Sequence, residues 1–123
     1  RSTLFPYTTL FRSGRRVAQH TMALLLELTN RVGLHDESVR HHEWNLQTGA
    51  CYFKAPLTLL DGKTLGIIGY GRIGKRVASI GSALGMKIAI YSRDPHAAMA
   101  ADVISLHLPA AENTRHFIDA ARS

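Results

Sequence analysis

Six consecutive residues, Gly69-Tyr70-Gly71-Arg72-Ile73-Gly74, are where residue type and spacing most directly imply chemistry. In a GxGxxG turn the first glycine permits a sharp exit from a strand. The second lets a pyrophosphate come close to the backbone, and the third lets the following helix pack on the sheet. The N–H groups of Arg72 and Ile73 would point at the anion, aided by the positive end of the helix dipole. The implied chemistry is the holding of a dinucleotide. The bland alternative is a tight strand–helix turn that binds nothing.

Other reactive side chains are scattered. The imidazoles are His20, His35, His41, His42, His96, His107 and His116. A general base must titrate in a useful range within reach of the reacting hydroxyl, and His107, at the end of a candidate strand, is the most tempting. His35, His41 and His42 lie close in sequence, but no cysteine or carboxylate pattern completes a metal-ligand set. No metal is expected, and these histidines read as helix-surface residues. Cys51 is the single cysteine. It excludes an internal disulfide framework and suits a reducing compartment, so a cytoplasmic location is expected.

The elements that must position the glycine turn are legible around it. Leu65 to Ile68 is a short apolar run bounded by glycine, the pattern of a buried strand. Ile73, Val77, Ile80 and Leu84 form one apolar stripe of a helix, with Gly85 where a C-terminal cap belongs. Lys87 to Tyr91 reads as a second buried strand, so residues 64–91 spell a βαβ unit. Asp102 to Leu108 is a third strand candidate ended by Pro109, and Ala111 to Ala121 a short helix. The spacer Ser92–Ala101 is shorter than a parallel crossover requires, so a segment is expected to be missing there. Upstream, Val17 to Val32 is rich in helix formers. Its nearly continuous apolar run Met22–Leu26 predicts burial on more than one side, with Gly33 as the break. A second helical stretch spans Asp36 to Trp44, and Gln47 to Pro56 reads as loop. The fold class is α/β: a partial, incomplete Rossmann-like dinucleotide-binding domain, a parallel sheet with flanking helices.

The 123 residues are 46% hydrophobic and 20% charged, with 15 Lys+Arg against 9 Asp+Glu. That allows one modest domain with a real core. The apolar run at Met22–Leu26 is far too short to span a bilayer. The net charge of +6 is dispersed, with no run of basic residues and no interleaved aromatics, so neither nucleic acid nor membrane is an expected partner. Residues 1–13 show no apolar period and read as a disordered segment. Thr3 to Ser13 (TLFPYTTLFRS) matches the translation of a widely used sequencing-library adapter, so the genuine protein sequence is expected to run from about Gly14 to Ala121.

With these residues in hand, the chain resembles the NAD(P)-binding domain of the D-isomer-specific 2-hydroxyacid dehydrogenases, nearest their glycerate dehydrogenase and hydroxypyruvate reductase branch. The resemblance is carried by VAQHTMALLLELTNRVGLHDESV, PLTLLDGKTLGIIGYGRIGKRVA, GMKIAIYSR and ADVISLHLPAAENTRHFI. It implies an oxidoreductase acting on the CH–OH group of D-2-hydroxy acids, with NAD or NADP as cofactor. By it, Gly69, Gly71, Arg72, Ile73 and Gly74 form the pyrophosphate loop. Ser92 and Arg93 stand where the adenosine ribose is read. His107, Leu108 and Pro109 line the adenosine side, Thr114 is a nearby cofactor contact, and Thr21 lies beside the nicotinamide. At the ribose end Ser92 and Arg93 favour NADP, whereas Asp94 could supply the acid that NAD requires.

The resemblance also implies departures. The family's catalytic arginine, glutamate and histidine match no residue of this sequence, so no catalytic residue is assigned. A substrate lobe, and a strand and helix between Tyr91 and Asp102, are likewise absent. The small 2-oxo or 2-hydroxy acid and the homodimer, built on the first helix and the loop containing Trp44, belong to a full-length parent. The fragment is expected to be catalytically inactive. The alternatives are a non-catalytic dinucleotide-binding or dimerisation module, or a non-functional library chimera.

Overall fold

The computed structural model describes residues 5–108, with side chains from residue 14 onward. Pro109, Thr114 and the helix expected at Ala111–Ala121 lie outside the described residues. Within them the order is α1 (Phe5–Asn30), α2 (Val32–Arg40), β1 (Thr64–Ile68), α3 (Arg72–Ala83), β2 (Lys87–Ile90), α4 (Pro95–Met99) and β3 (Val103–Leu106). The strands form one parallel sheet in the order β2-β1-β3.

β1 is the centre of the molecule, and its alternation sorts the layers. Leu65 and Ile67 face α3, where Leu65 meets Gly81 and Ile67 meets Gly74. Gly66 faces the opposite way, and a Cβ there would run into the Ala98 carbonyl of α4. With helices on both faces, Leu65, Ile67 and Ile68 are almost completely buried. This is why the strand reads as a continuous apolar run rather than an alternating one. Leu65 is in register with Ile88 on one side and Val103 on the other. The expected βαβ unit is present, and Gly85, at φ +85°, follows the end of α3.

α1 departs from the sequence expectation in three ways. It begins at Phe5, so the backbone of residues 5–13 is helical where composition reads as disordered. Pro6 stands in the first turn, the one place where a helix tolerates proline. Second, α1 is buried on one face only: Ala18, Met22, Leu25 and Thr29 are covered, while Leu24 and Leu28 are 55% and 77% exposed. Its partner among the described elements is α3, and one helix can cover only one stripe. Third, the break falls at Arg31, not Gly33. Arg31 takes a left-handed conformation (φ 53°), and Gly33 lies inside α2. The Glu27 carboxylate accepts from the Gly33 N–H at 3.0 Å and supplies the acceptor that the start of α2 needs.

α2 therefore begins four residues before the expected Asp36 and ends at Arg40. His35 accepts through Nε2 from Lys54 N at 3.1 Å, so its proton sits on Nδ1, facing the Arg31 carbonyl at 2.7 Å. Ser38 donates to Glu43, which pairs with Lys54 at 2.7 Å and holds the loop against α2. The Lys54 ammonium and the Ser38 hydroxyl hold the Glu43 carboxyl below the usual carboxylate range.

The short connection between β2 and β3 closes a parallel crossover over β1. Asp94 caps α4 by accepting from Ala97 N at 3.1 Å, and Ala98 is completely buried. The small residues of α4 let a single helical turn lie on the sheet at Gly66, where a larger side chain would hold it off. The Asp102 carboxylate accepts from Thr64 N at 2.9 Å and ties the start of β3 to that of β1.

Candidate functional site

In the order β2-β1-β3 the chain leaves β1 toward one neighbour and returns on its other side. The carboxyl ends of β1 and β3 therefore flank a topological switch point, the crevice where open α/β sheets bind ligands. Two backbone bonds bring the strand ends together. Tyr91 N donates to Ile67 O at 2.9 Å and His107 N donates to Ile68 O at 2.7 Å, while Asp94 N donates to Ile90 O at 2.9 Å and closes the turn after β2.

Each glycine of the turn has its own geometry. Gly69 sits at φ +94°, where an L side chain is strained, and a Cβ there would lie 2.5 Å from the His107 carbonyl oxygen. Gly74 packs against the Gly69 carbonyl and Ile67, with no room for a side chain. Gly71 differs from both. It is the N-cap of α3 in extended conformation (φ −87°, ψ −154°), and apart from its chain neighbours no atom of the described residues lies within 4 Å of a Cβ built on it. The space above Gly71 is a cradle that a side chain would fill. It opens onto the first turn of α3, whose leading N–H groups have no partner within the helix. That combination fits the pyrophosphate of a dinucleotide.

Cations surround this turn. Arg72, Lys75 and Arg76 open α3, and no acidic residue stands in its first turn. The aliphatic stem of Arg72 lies on α1 at Gly14, where a Cβ would touch it at 3.4 Å. Arg15, Arg72, Lys75, Arg76 and Ser79 line a groove of about 470 Å³ between the two helices. The Lys75 ammonium stands 5.8 Å from the centroid of the Tyr70 ring, and the Arg93 guanidinium 5.3 Å from it. The crevice thus presents N–H donors and positive charge, the equipment for holding an anion.

The structure brings most of the expected site residues to this end of the sheet. Ser92 and Arg93 are exposed in the turn after β2, and His107 and Leu108 are half-buried beside Gly69. His107 Nε2 lies 2.6 Å from Ser105 Oγ, and partial burial holds its imidazole below the ordinary histidine value. Thr21 is half-buried on α1, with its hydroxyl donating to the Val17 carbonyl at 2.8 Å. It offers no hydrogen bond to the cluster. Among the described residues, no group of three His, Cys, Asp or Glu side chains could hold a metal ion.

Tyr70 and Lys75, which the sequence reading did not place in the pyrophosphate loop, stand beside it in the structure. Tyr70 lies between the first two glycines, and Lys75 follows Arg72 at helical spacing. That spacing was the available signal. The Asp94 carboxylate, which the sequence offers as an acid for the ribose, accepts from Ala97 N through Oδ1 as the cap of α4. The Asp-Pro pair at the start of that helix was the clue.

Comparison with known proteins agrees with this geometry. The model of the D-isomer specific 2-hydroxyacid dehydrogenase NAD-binding domain matches residues 22–122. The chain is 36% identical to hydroxypyruvate reductase of Blautia hydrogenotrophica, with 84% of this chain and 37% of that protein covered. It is equally identical, at 36%, to glycerate dehydrogenase of Methylorubrum extorquens, with 85% and 36% covered. The fold superposes on D-lactate dehydrogenase from Aquifex aeolicus, a structure complexed with NAD and lactic acid, with a TM-score of 0.70. That likeness is 31% identical and covers 89% of this chain and 36% of that one. The chain spans about a third of the length of these relatives. No helix among the described residues is long and apolar enough to cross a membrane. The chain belongs to the D-isomer specific 2-hydroxyacid dehydrogenase family, as part of its NAD-binding domain.

Proposed function

We propose that this chain is the dinucleotide-holding part of an oxidoreductase that interconverts a small 2-oxo acid and a D-2-hydroxy acid, of the hydroxypyruvate, glyoxylate or glycerate type. The observation that carries the reading is the open cradle at Gly71, set over the first turn of α3 at the switch point of the sheet. Gly69, Gly71, Arg72, Ile73 and Gly74 would hold the pyrophosphate. Ser92 and Arg93 would meet the adenosine ribose. His107 and Leu108, with Pro109 and Thr114, would line the adenosine side, and Thr21 would face the nicotinamide.

The cofactor supplies the hydride chemistry, and the protein holds and orients it. Turnover also needs a group that grips the substrate carboxylate and a group that moves a proton. Neither role is assigned to a residue of this sequence. The 123-residue chain is therefore a binder without turnover. In the parent, the apolar face of α1 carrying Leu24 and Leu28, with the exposed Trp44, would be covered by a second subunit, and the enzyme would be cytoplasmic. The Blautia match runs over 118 aligned positions yet takes in 84% of 123 residues. This supports the reading that the chain lacks a segment its relatives carry, as the brief β2–β3 connection also suggests.

The test is calorimetric titration of the purified chain with reduced nicotinamide dinucleotide, together with an assay of hydroxypyruvate and glyoxylate reduction. Saturable 1:1 binding without turnover is expected. Absence of binding by a folded chain overturns the reading, and measurable reduction overturns the assignment of no catalytic residue.

A further inference from the structure

We propose that Ser105, buried on β3, is a positioning residue that fixes the His107 side chain as its Nδ1–H tautomer and so presents a neutral N–H donor to a dinucleotide held at the glycine turn. The inference rests on the reading that the Gly69–Gly74 turn holds a dinucleotide. It adds what sets the hydrogen-bonding character of the residue beside that turn.

Strand alternation puts the two side chains together. Ser105 is in register with Ile67, which lies on the α3 face of the sheet against Gly74. His107, two residues on, falls on the same face, and its Nε2 lies 2.6 Å from Ser105 Oγ. The backbone of His107 is held separately. Its N donates to Ile68 O at 2.7 Å, and its carbonyl closes on Gly69. What the backbone leaves open is the rotation of the imidazole and which nitrogen carries the proton.

The Ser105 hydroxyl decides both. The residue is only 8% exposed, so its proton must find an acceptor inside the protein. Its side-chain partner among the described residues is His107 Nε2. Ser105 therefore donates and Nε2 accepts, which leaves the ring proton on Nδ1. The opposite arrangement, Nε2–H donating to Oγ, would strand the hydroxyl proton. Among the described residues no buried side-chain nitrogen or oxygen lacks a hydrogen-bond partner, and Nδ1 has none there. Nδ1–H is thus open to solvent and able to donate to an acceptor on a ligand. Partial burial holds the imidazole below the ordinary histidine value of 6.5, so the donor is neutral at neutral pH.

The test is imidazole-nitrogen NMR of the whole chain, isotopically labelled in its histidine rings, paired with calorimetric titration with NADH and with NADPH. The His107 signal is identified by its loss in His107→Phe. Above the histidine titration range the wild type is expected mainly as the Nδ1–H tautomer, opposite to the Nε2–H form that a free imidazole favours. Ser105→Ala should return the ring to Nε2–H and weaken the tighter-binding dinucleotide by about three- to tenfold, the loss of one neutral hydrogen bond. Ser105→Thr, which keeps the hydroxyl, should restore both. Added to His107→Phe, Ser105→Ala should weaken binding no further. Circular dichroism checks folding, and Ser105→Cys, whose thiol is a weak donor, takes the place of an alanine variant that does not fold. An Nε2–H ring in the wild type, an unchanged tautomer in the alanine variant, or a changed tautomer with unchanged affinity each overturns the proposal while leaving the dinucleotide site standing. Binding of neither dinucleotide to the folded wild-type chain overturns the site, and the donor role with it.

Discussion

Replacing Gly71 by valine separates ligand binding from folding in a way that no other glycine of the turn allows. The residue is extended, at φ −87° and ψ −154°, outside the left-handed region that strains a side chain, and apart from its chain neighbours no atom of the described residues lies within 4 Å of the new Cβ. Two small terms decide the stability. Valine is a poorer N-cap than glycine, at a cost of about 0.5–1.5 kcal/mol. Removing a glycine restricts the unfolded chain and returns about 0.4–1 kcal/mol. The net change is within about 1 kcal/mol, and the fold should survive.

Binding responds quite differently. The valine side chain would occupy the space through which a pyrophosphate reaches the first turn of α3. A hydrogen bond to a charged group contributes about 1.5–3 kcal/mol, so losing two weakens binding by roughly 100-fold or more. Chemical denaturation followed by circular dichroism, paired with calorimetric titration of the dinucleotide, reads both quantities on one sample. A folded Gly71→Val protein that binds within about threefold of wild type would refute the placement of the phosphate. Loss of the fold would refute the geometry assigned to Gly71.

Gly74→Ala should show the inverse pattern. Its Cβ would be driven into the Gly69 carbonyl and Ile67, and the overpacking should destabilise the chain by about 1–3 kcal/mol in urea denaturation. His107 makes stability depend on pH. Burial lowers its folded pKa below the ordinary value of 6.5, so just below that value the unfolded chain binds more protons than the folded one. The stability is complete above about 6.5, the unfolded value, and is lost as pH falls through the window beneath it. His107→Asn should flatten that slope in denaturation series between neutral and mildly acidic pH.

How much of this was legible in the sequence depended on whether the signal was local. The βαβ unit was, because β1 is buried on both faces and α3 on one. Those environments write a continuous apolar run and an apolar stripe that need no knowledge of the partner. The burial of α1 was not legible. Met22 to Leu26 is apolar whatever covers it, and only the structure shows α3 on one side and exposed leucines on the other. The break at Arg31 was hidden for a related reason. Gly33 is the obvious breaker, but the Glu27 carboxylate reaches its N–H and carries it inside α2. In the site, the glycine spacing announced the cradle. That Arg93 and Lys75 each stand near the Tyr70 ring depends on the sheet placing the end of β2 beside the start of α3.

Among the described residues the brief link from β2 to β3 leaves a three-stranded sheet, and three strands are enough to form the crevice. The crevice needs β1 and a strand on each side of it, with the chain reversing direction between them. Those strands are present, parallel and in register. A further strand beyond β2 would sit at the edge and touch none of the atoms around Gly71. The requirement that remains is steric: the link must cross β1 without lifting off it. Ala98 meets that requirement by lying directly on Gly66, where both residues lack the bulk to hold the layers apart. The same small residues that let the link be brief hold β3 beside β1. His107 and Leu108 thereby stay against Gly69, and the mouth of the site keeps its shape.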